Sequence, residues 1–464
     1  MKIKLTTPIS AKEIERITKC IACTAENAEI RYIATHSSEA EKDTLFLSMT
    51  GEHANGEDFR EEVLSRGGYL LTEAYGDKSF TVASVNDALF ALAKAHLEKL
   101  TKRKHTVAIT GSVGKTTTKE MLRLFLSDRF RTHATEGNKN SEIGLPLTIL
   151  SAPTDTEILI LEMGMNHAGE IAKLSLLASP DTVIITNIGH AHIGNLGSRA
   201  AIAKAKKEIL IGARKNADVF IPSGEPLLSD ISRAQKIGLF NKEGTYALVR
   251  NDACGGGHLL LHQGEKALCI PEKLQDKGML SAFAFAAVTA MHLGITVPEI
   301  NGKIIDFEYN IFRQKIHFCR GMKIIYDAYN ASYESVLCAI ESLKSTPAPM
   351  HALLLGDMKE LGSHAESLHR ALGSACAKAR EVIDMLFLFG EHASLIADQA
   401  EKEGFDRRRI LINTDEMRPQ ITARQILDRA CAGMLLWIKG ARGMRMERIL
   451  HILKSDVGGD DDAG

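Results

Sequence analysis

Short runs of β-branched and aliphatic residues alternate with stretches whose apolar positions recur at helical spacing along most of the chain. Between residues 104 and 318 the runs HTVAIT, TEILILEM and DTVIITNI have strand length, and amphipathic segments separate them. That alternation predicts a mostly parallel sheet with helices on both faces. FAFAAVTAMHLGI reads as a buried helix near the end of this region. From residue 319 the alternation restarts, with KIIYDAYN, HALLLGDM, MLFLFGE, RILINT and LLWIKG as strands, so a second α/β domain with its own sheet extends to residue 454. Residues 1–103 mix the strand-like pieces YIATHS, DTLFLSM and GYLLTEA with helical ones and end in NDALFALAKAHLEKL. The basic break TKRKH then reads as a solvated linker. The expected domains are therefore 1–103, 104–318 and 319–454. The tail 455–464 ends in GGDDDAG, has too little apolar surface to bury, and is expected to be disordered.

Length and composition agree with this division. A chain of 464 residues exceeds what one ordinary core organises, so two to four domains are expected. Hydrophobic residues make up 45% and charged residues 25%, the balance of a globular protein. Lys+Arg 57 against Asp+Glu 58 gives a net charge of -1, which excludes a general affinity for nucleic acid or acidic membranes. The positive groups that a phosphorylated substrate needs must then be local. No apolar run approaches the roughly 20 residues of a membrane span, and MKIKLTTPIS lacks a signal-peptide core, so a cytoplasmic protein is expected. The one close cysteine pair, Cys20 and Cys23, follows the capping-box spacing of Ser10 and Glu13 and reads as two ordinary helix cysteines with no metal or redox role.

The strongest chemical signal is TVAITGSVGKTTTKEML. A hydrophobic strand runs into Gly111, Ser112, Val113, Gly114, Lys115, Thr116 and Thr117, and a helical pattern follows at once. Glycines let successive N–H groups turn toward phosphate oxygens, and the helix N-terminus reinforces them. Lys115 would reach the β- and γ-phosphates, and the Thr116 hydroxyl would ligate Mg²⁺. The spacing GxxGKT is shorter than the common GxxxxGK[ST] form. Two further strands end in capable residues. Glu162 closes one of them, where an acid can hold Mg²⁺, and Asn187, His190 and His192 follow the other. The helical segment SRAAIAKAKKEIL, taken alone, reads as a solvated charged face.

In order, TGSVGKTTTKEM, GNKNSEIGLPLTIL, LEMGMNHAGEI, TNIGHAHIGNLGS, AKKEI, YDAYNAS, LLLGDMKELG and IKGARGMRME resemble the Mur ligase family, from Thr110 to Glu447. The resemblance implies a smaller N-terminal UDP-substrate domain, a central phosphate-loop ATPase domain and a C-terminal Rossmann-like domain. DAYNAS followed by GDMKELG implies the member that adds D-alanyl-D-alanine to UDP-N-acetylmuramoyl-tripeptide through an acyl phosphate. It further implies ATP, two Mg²⁺ ions and a monomer. Thr116 and Glu162 would serve the Mg²⁺ that bridges the ATP phosphates, and His192 a second ion. Lys206 matches a carbamoylated lysine that acts as a carboxylate-like Mg²⁺ ligand. Asn138 would face substrate or phosphate, Arg313, Asp327 and Asn330 would engage the nucleotide, and Ser37 and Ser38 would lie in the uridine region.

The chain also departs from that pattern. Met279 and Phe283 stand where the family carries a histidine and an asparagine near the base, so adenine is held by apolar contact or elsewhere. Tyr326-Asp327 replaces Asp-Asp, Ser332-Tyr333 replaces Asn-Pro, and His36-Ser37-Ser38 replaces Asp-Ser-Arg. The rival readings are another Mur or folylpolyglutamate-type ligase, or a nucleotide-binding scaffold without catalysis.

Overall fold

The computed structural model describes residues 1–51, 54–239, 244–250, 258–262, 265–270, 277–305 and 315–455. The tail after Ser455 and Arg313 lie outside the described residues. Three sheets succeed one another along the chain, one for each α/β domain. No helix among the described residues is long and apolar enough to cross a membrane.

The first sheet comprises β1 (Lys2–Ser10), β2 (Ala22–Cys23), β3 (Glu29–Ala34), β4 (Thr44–Leu47), β5 (Tyr69–Thr72) and β6 (Ser79–Thr81), in the order β1-β3-β4-β5-β6-β2. Its four inner strands are parallel, and β1 and β2 add antiparallel edges. Ser10 caps the helix Ala11–Thr18 as its spacing predicts, by accepting the Glu13 N–H. The cysteines are not helical, however. The helix ends at a left-handed Lys19, Cys20 lies in the following turn, and Cys23 sits in β2.

The middle region supplies β7 (His105–Thr110), β8 (Thr132–Ala134), β9 (Ile158–Glu162), β10 (Thr182–Ile185) and β11 (Asp218–Pro222), all parallel in the order β8-β9-β7-β10-β11. They are near-continuous apolar runs because helices cover both faces. The strands β12 (Gln235–Leu239) and β13 (Tyr246–Arg250) pair parallel, whereas β14 (His258–His262) and β15 (Glu265–Ile270) continue antiparallel. The simple alternation does not extend this far, because two residues between β14 and β15 cannot form the crossover that a parallel pair requires. FAFAAVTAMH lies in the helix Lys277–His292, buried from Met279 through Ala290 apart from Ser281, and Leu293, Gly294 and Ile295 follow the helix end.

The third sheet contains β16 (Lys315–Cys319), β17 (Met322–Asp327), β18 (His351–Gly356), β19 (Met385–Phe389), β20 (Ile410–Asn413) and β21 (Leu435–Lys439), ordered β16-β17-β21-β18-β19-β20. All pairs are parallel except the edge hairpin β16–β17, which turns through Arg320 and Gly321 at φ 49° and 75°. The register sets Asp327 opposite Lys439, both at the carboxyl ends of their strands.

Contacts group the residues into two compact units. One holds Met1–Thr110, Leu122–Ile185 and Ala205–Phe220, and the other holds Gly111–Met121, Thr186–Lys204 and Ile221–Gly464. Within the first unit the helix Val85–Lys99 packs on the helix Gly144–Leu150 and anchors there through His96, whose Nε2 bonds the Ala152 carbonyl at 2.9 Å. Burial lowers the pKa of both His96 and the nearby His133, against the raising effect of their carbonyl bonds. A histidine that protonates more easily unfolded than folded contributes stability in full above its unfolded pKa of about 6.5 and loses it as pH falls toward the lower folded value. The urea midpoint should therefore hold steady above pH 7 and fall progressively below about pH 6.5. His96→Gln, which keeps a donor for Ala152, should make that decline shallower; an unchanged slope would exclude His96 from it.

Candidate active site

The glycine loop is shaped by its neighbours as much as by its own sequence. Gly111 at φ 152° and Gly114 at φ 82° adopt backbone angles that side chains disfavour, and a Cβ on Gly111 would strike the Thr186 hydroxyl. The Asn187 side-chain oxygen accepts the Ser112 and Val113 N–H groups at 2.9 and 3.0 Å, and the Thr186 hydroxyl donates to the Val113 carbonyl at 2.6 Å. Gly189 N–H donates to the Ser112 hydroxyl at 2.8 Å. Loop residues after β10 thus brace the turn, and two of the turn's own N–H groups are committed to Asn187. The groups that open the helix Lys115–Leu126 are where an anion would meet a helix N-terminus. Lys115 folds back so that Nζ donates to the Gly111 carbonyl at 2.7 Å.

A cavity of about 470 Å³ opens beside this loop within the second unit. Its lining includes Ser112 through Thr118, Asn187 and His192, together with Asp327, Asn330 and Lys439 from the third sheet's strand ends and loops. Of the candidates named from sequence, Ser112, Val113, Gly114, Lys115, Thr116, Thr117, His192, Asp327 and Asn330 are brought together here. Met279 and Ala282 form an apolar part of the wall, whereas Phe283 is fully buried and absent from the lining. Asp327 receives a 2.8 Å bond from the buried Lys439 ammonium, an ion pair that sequence reasoning missed. A lysine closing the apolar run LLWIK was its only signal. Tyr326 does not serve this cavity as part of its lining: its hydroxyl donates to Glu447, and burial pushes its pKa up to about 12.

Two histidines of the loop after β10 pair with glutamates. His190 Nδ1 lies 2.5 Å from Glu334 and His192 Nδ1 lies 2.8 Å from Glu360. The His192 contact holds the exposed Glu360 carboxyl below its ordinary range, more than desolvation raises it. Glu360, at φ 63°, belongs to the segment Gly356–Gly362, which a buried cluster braces. There Asp357 accepts the His392 N–H, and Met358 N–H donates to His369 Nε2 at 3.1 Å. Although Asp357, His369 and His392 gather within 4.8 Å, the two rings stack at 4.4 Å and the His369 nitrogens are both engaged. An ion cannot lie in both stacked ring planes, so the cluster is a brace for the loop.

Glu162, Asn138, Lys206, Ser37 and Ser38 lie in the first unit. Glu162 is fully buried opposite Ile109, one strand over from the run that leads into Gly111. Its Oε1 accepts the Asn140 amide at 2.8 Å, so Asn140 of the GNKN turn reaches the acid, while Asn138 is exposed. Gly164 leaves room for Asn140, since a Cβ there would come within 2.9 Å of its side chain. Lys206 is 2% exposed, in contrast to Lys204, so SRAAIAKAKKEIL is not simply a solvated face. Glu208 caps the helix Glu170–Ala178 by accepting the Gly169 N–H at 2.8 Å. Ser37 and Ser38 form a surface turn, where Arg66 donates to the Ser38 carbonyl at 2.9 Å.

Comparison with known proteins agrees with the strand-end chemistry. Residues 109–251 match the Mur ligase middle domain, and residues 313–442 match the Mur ligase, glutamate ligase domain. UDP-N-acetylmuramoyl-tripeptide--D-alanyl-D-alanine ligase of Bacillus subtilis is 35% identical over 92% of this chain and 94% of its own. The solved structure of MurF ligase from Thermotoga maritima in complex with ADP is 28% identical, with TM-score 0.78 over 91% of this chain and 97% of that one. MurF from Acinetobacter baumannii, 23% identical, shares the fold at TM-score 0.84 over 97% and 99%. With its phosphate loop, its strand-end acid and these relatives, the chain belongs to the Mur ligase family, among the UDP-N-acetylmuramoyl-tripeptide–D-alanyl-D-alanine ligases.

Proposed function

We propose that this ATP-dependent ligase joins D-alanyl-D-alanine to UDP-N-acetylmuramoyl-tripeptide for peptidoglycan precursor synthesis, releasing ADP and phosphate. The observation that carries this reading is the single cavity shared by Lys115, Thr116, His192, Asp327 and Asn330. A peptide carboxylate is a poor electrophile, and its transfer to an acyl phosphate makes it reactive. Attack of that anion on a γ-phosphate needs concentrated positive charge, which Lys115 supplies beside the N-terminus of the helix Lys115–Leu126. The amine then attacks the acyl carbon, and phosphate leaves. A cavity walled by residues of the central and third domains would keep water from the acyl phosphate.

In this reading Thr116 and Glu162 hold the Mg²⁺ that accompanies ATP, and His192 holds a second ion. Mg²⁺ favours oxygen donors, and a fully buried carboxylate at a strand end fits that preference. The ions would supply charge neutralisation at the phosphates. Lys206 is a carbamate in the working enzyme; what supports this is its burial at 2% exposure within a helix whose Lys204 is exposed. Adenine rests on Met279 and Ala282, the apolar wall of the cavity. Asn138, Ser37 and Ser38 contact the UDP-linked substrate, and Arg313 the nucleotide. Domain limits at 103 and 318, a monomer and a cytoplasmic location complete the proposal.

The test is ADP formation with UDP-N-acetylmuramoyl-tripeptide, with and without D-alanyl-D-alanine. Strong dependence on the dipeptide is expected. A single amino acid that serves better would assign another ligase, and ATP binding without phosphate release would leave a scaffold.

A further inference from the structure

Glu334 stands in the first turn of the helix Tyr333–Ser345 and borders the main cavity. Its two oxygens differ. Oε1 accepts both the His190 backbone N–H at 3.0 Å and the ring Nδ1 at 2.5 Å. Oε2 is shielded from solvent and has no hydrogen-bond partner among the described residues. Leaving a charged oxygen both desolvated and unpaired is costly, so this geometry is best completed by a donor that arrives with a ligand. The surroundings make room for the carboxylate: a Cβ on Gly189 would lie 2.5 Å from the Glu334 carboxyl carbon. Glu334 lines the main cavity of about 470 Å³ together with Asn330 and Ser332, so a ligand there can reach it.

We propose that Glu334 is the docking point for the ammonium group of the incoming dipeptide. The inference rests on the ligase reading above and names where the acceptor binds. A compact ammonium offers three donors and matches one unpaired carboxylate oxygen. A hydrated Mg²⁺ would demand several oxygens in an octahedral shell, whereas the other Glu334 oxygen is already held by two N–H groups of His190. His190 therefore fixes the carboxylate, and Glu334 presents its remaining oxygen toward the amine.

The experiment compares two nucleophiles in Glu334→Gln. D-alanyl-D-alanine carries an ammonium at neutral pH, whereas hydroxylamine is neutral and captures an acyl phosphate as a hydroxamate without needing an ammonium site. The KM for the dipeptide should rise about 10- to 100-fold, the loss of one charge-assisted bond. The KM for UDP-N-acetylmuramoyl-tripeptide should stay within about twofold, and hydroxamate formation within about threefold. Gly189→Ala, which crowds the same carboxyl, should shift the dipeptide KM in the same direction. An unchanged dipeptide KM in Glu334→Gln, a rise for the UDP-linked substrate instead, or equal loss with both nucleophiles would overturn the assignment. If the unaltered enzyme makes no hydroxamate from UDP-tripeptide and ATP, the ligase reading itself fails, whatever the variant does.

Discussion

Lys115→Ala is expected to lower kcat/KM for ligation by about 10³-fold or more, with the fold intact. The lysine lines the cavity, and its Nζ lies 2.7 Å from the Gly111 carbonyl, so its charge is held over the turn rather than lost to solvent. No other ammonium belongs to the loop itself, since Ser112, Val113, Thr116 and Thr117 are neutral. Lys439 lines the same cavity but is bound to Asp327 at 2.8 Å and cannot replace it without uncovering that acid. Transfer between two anions gains most from positive charge fixed before the reaction, so the loss should fall mainly on kcat and less on ATP affinity. ADP release under saturating substrates, alongside an unchanged circular dichroism spectrum, checks it. Activity within tenfold of the unaltered enzyme would remove Lys115 from the phosphate-transfer step.

The strands carrying the chemistry were legible because each is a short apolar run ending in an unlike residue. β7 runs into Gly111, β9 ends in Glu162, and β17 ends in Asp327. Burial on both faces enforces such runs, so their ends stand out. β1 was harder to see: KIKLTTPIS has a polar-rich alternation, since one edge strand covers only part of a core. β14 and β15 broke the expected alternation through connection length, a feature that periodicity does not register. At the site, residues that act through partners were hidden. Nothing local in GNKN says that its fourth residue, Asn140, turns toward Glu162 while Asn138 stays exposed. Lys439 and Glu334 gain meaning from Asp327 and His190, which lie 112 and 144 positions away in the chain. Long-range pairing of this kind is a property of the fold, and no spacing rule encodes it.

Lys206→Met is expected to reduce ligation by about 10²- to 10³-fold, although the residue lies in a helix whose composition suggests a solvated face. Helical spacing separates Lys204 from Lys206 by roughly 200°, so one can be exposed while the other points inward. A lysine at 2% exposure is packed inside the fold, and methionine keeps its apolar stem there. The helix should therefore survive the change, and the urea midpoint should move little. If the working group is a carbamate, the unaltered enzyme carries a further signature that a structural lysine would not. Its activity should fall in CO₂-depleted buffer and return on adding bicarbonate, while Lys206→Met stays low in both. Full activity after exhaustive CO₂ removal would leave Lys206 as a buried cation and move the proposed Mg²⁺ charge balance onto Glu162. A buried cation and a carbamate anion differ by two unit charges at this buried position, so an intermediate result would report partial occupancy of the carbamate.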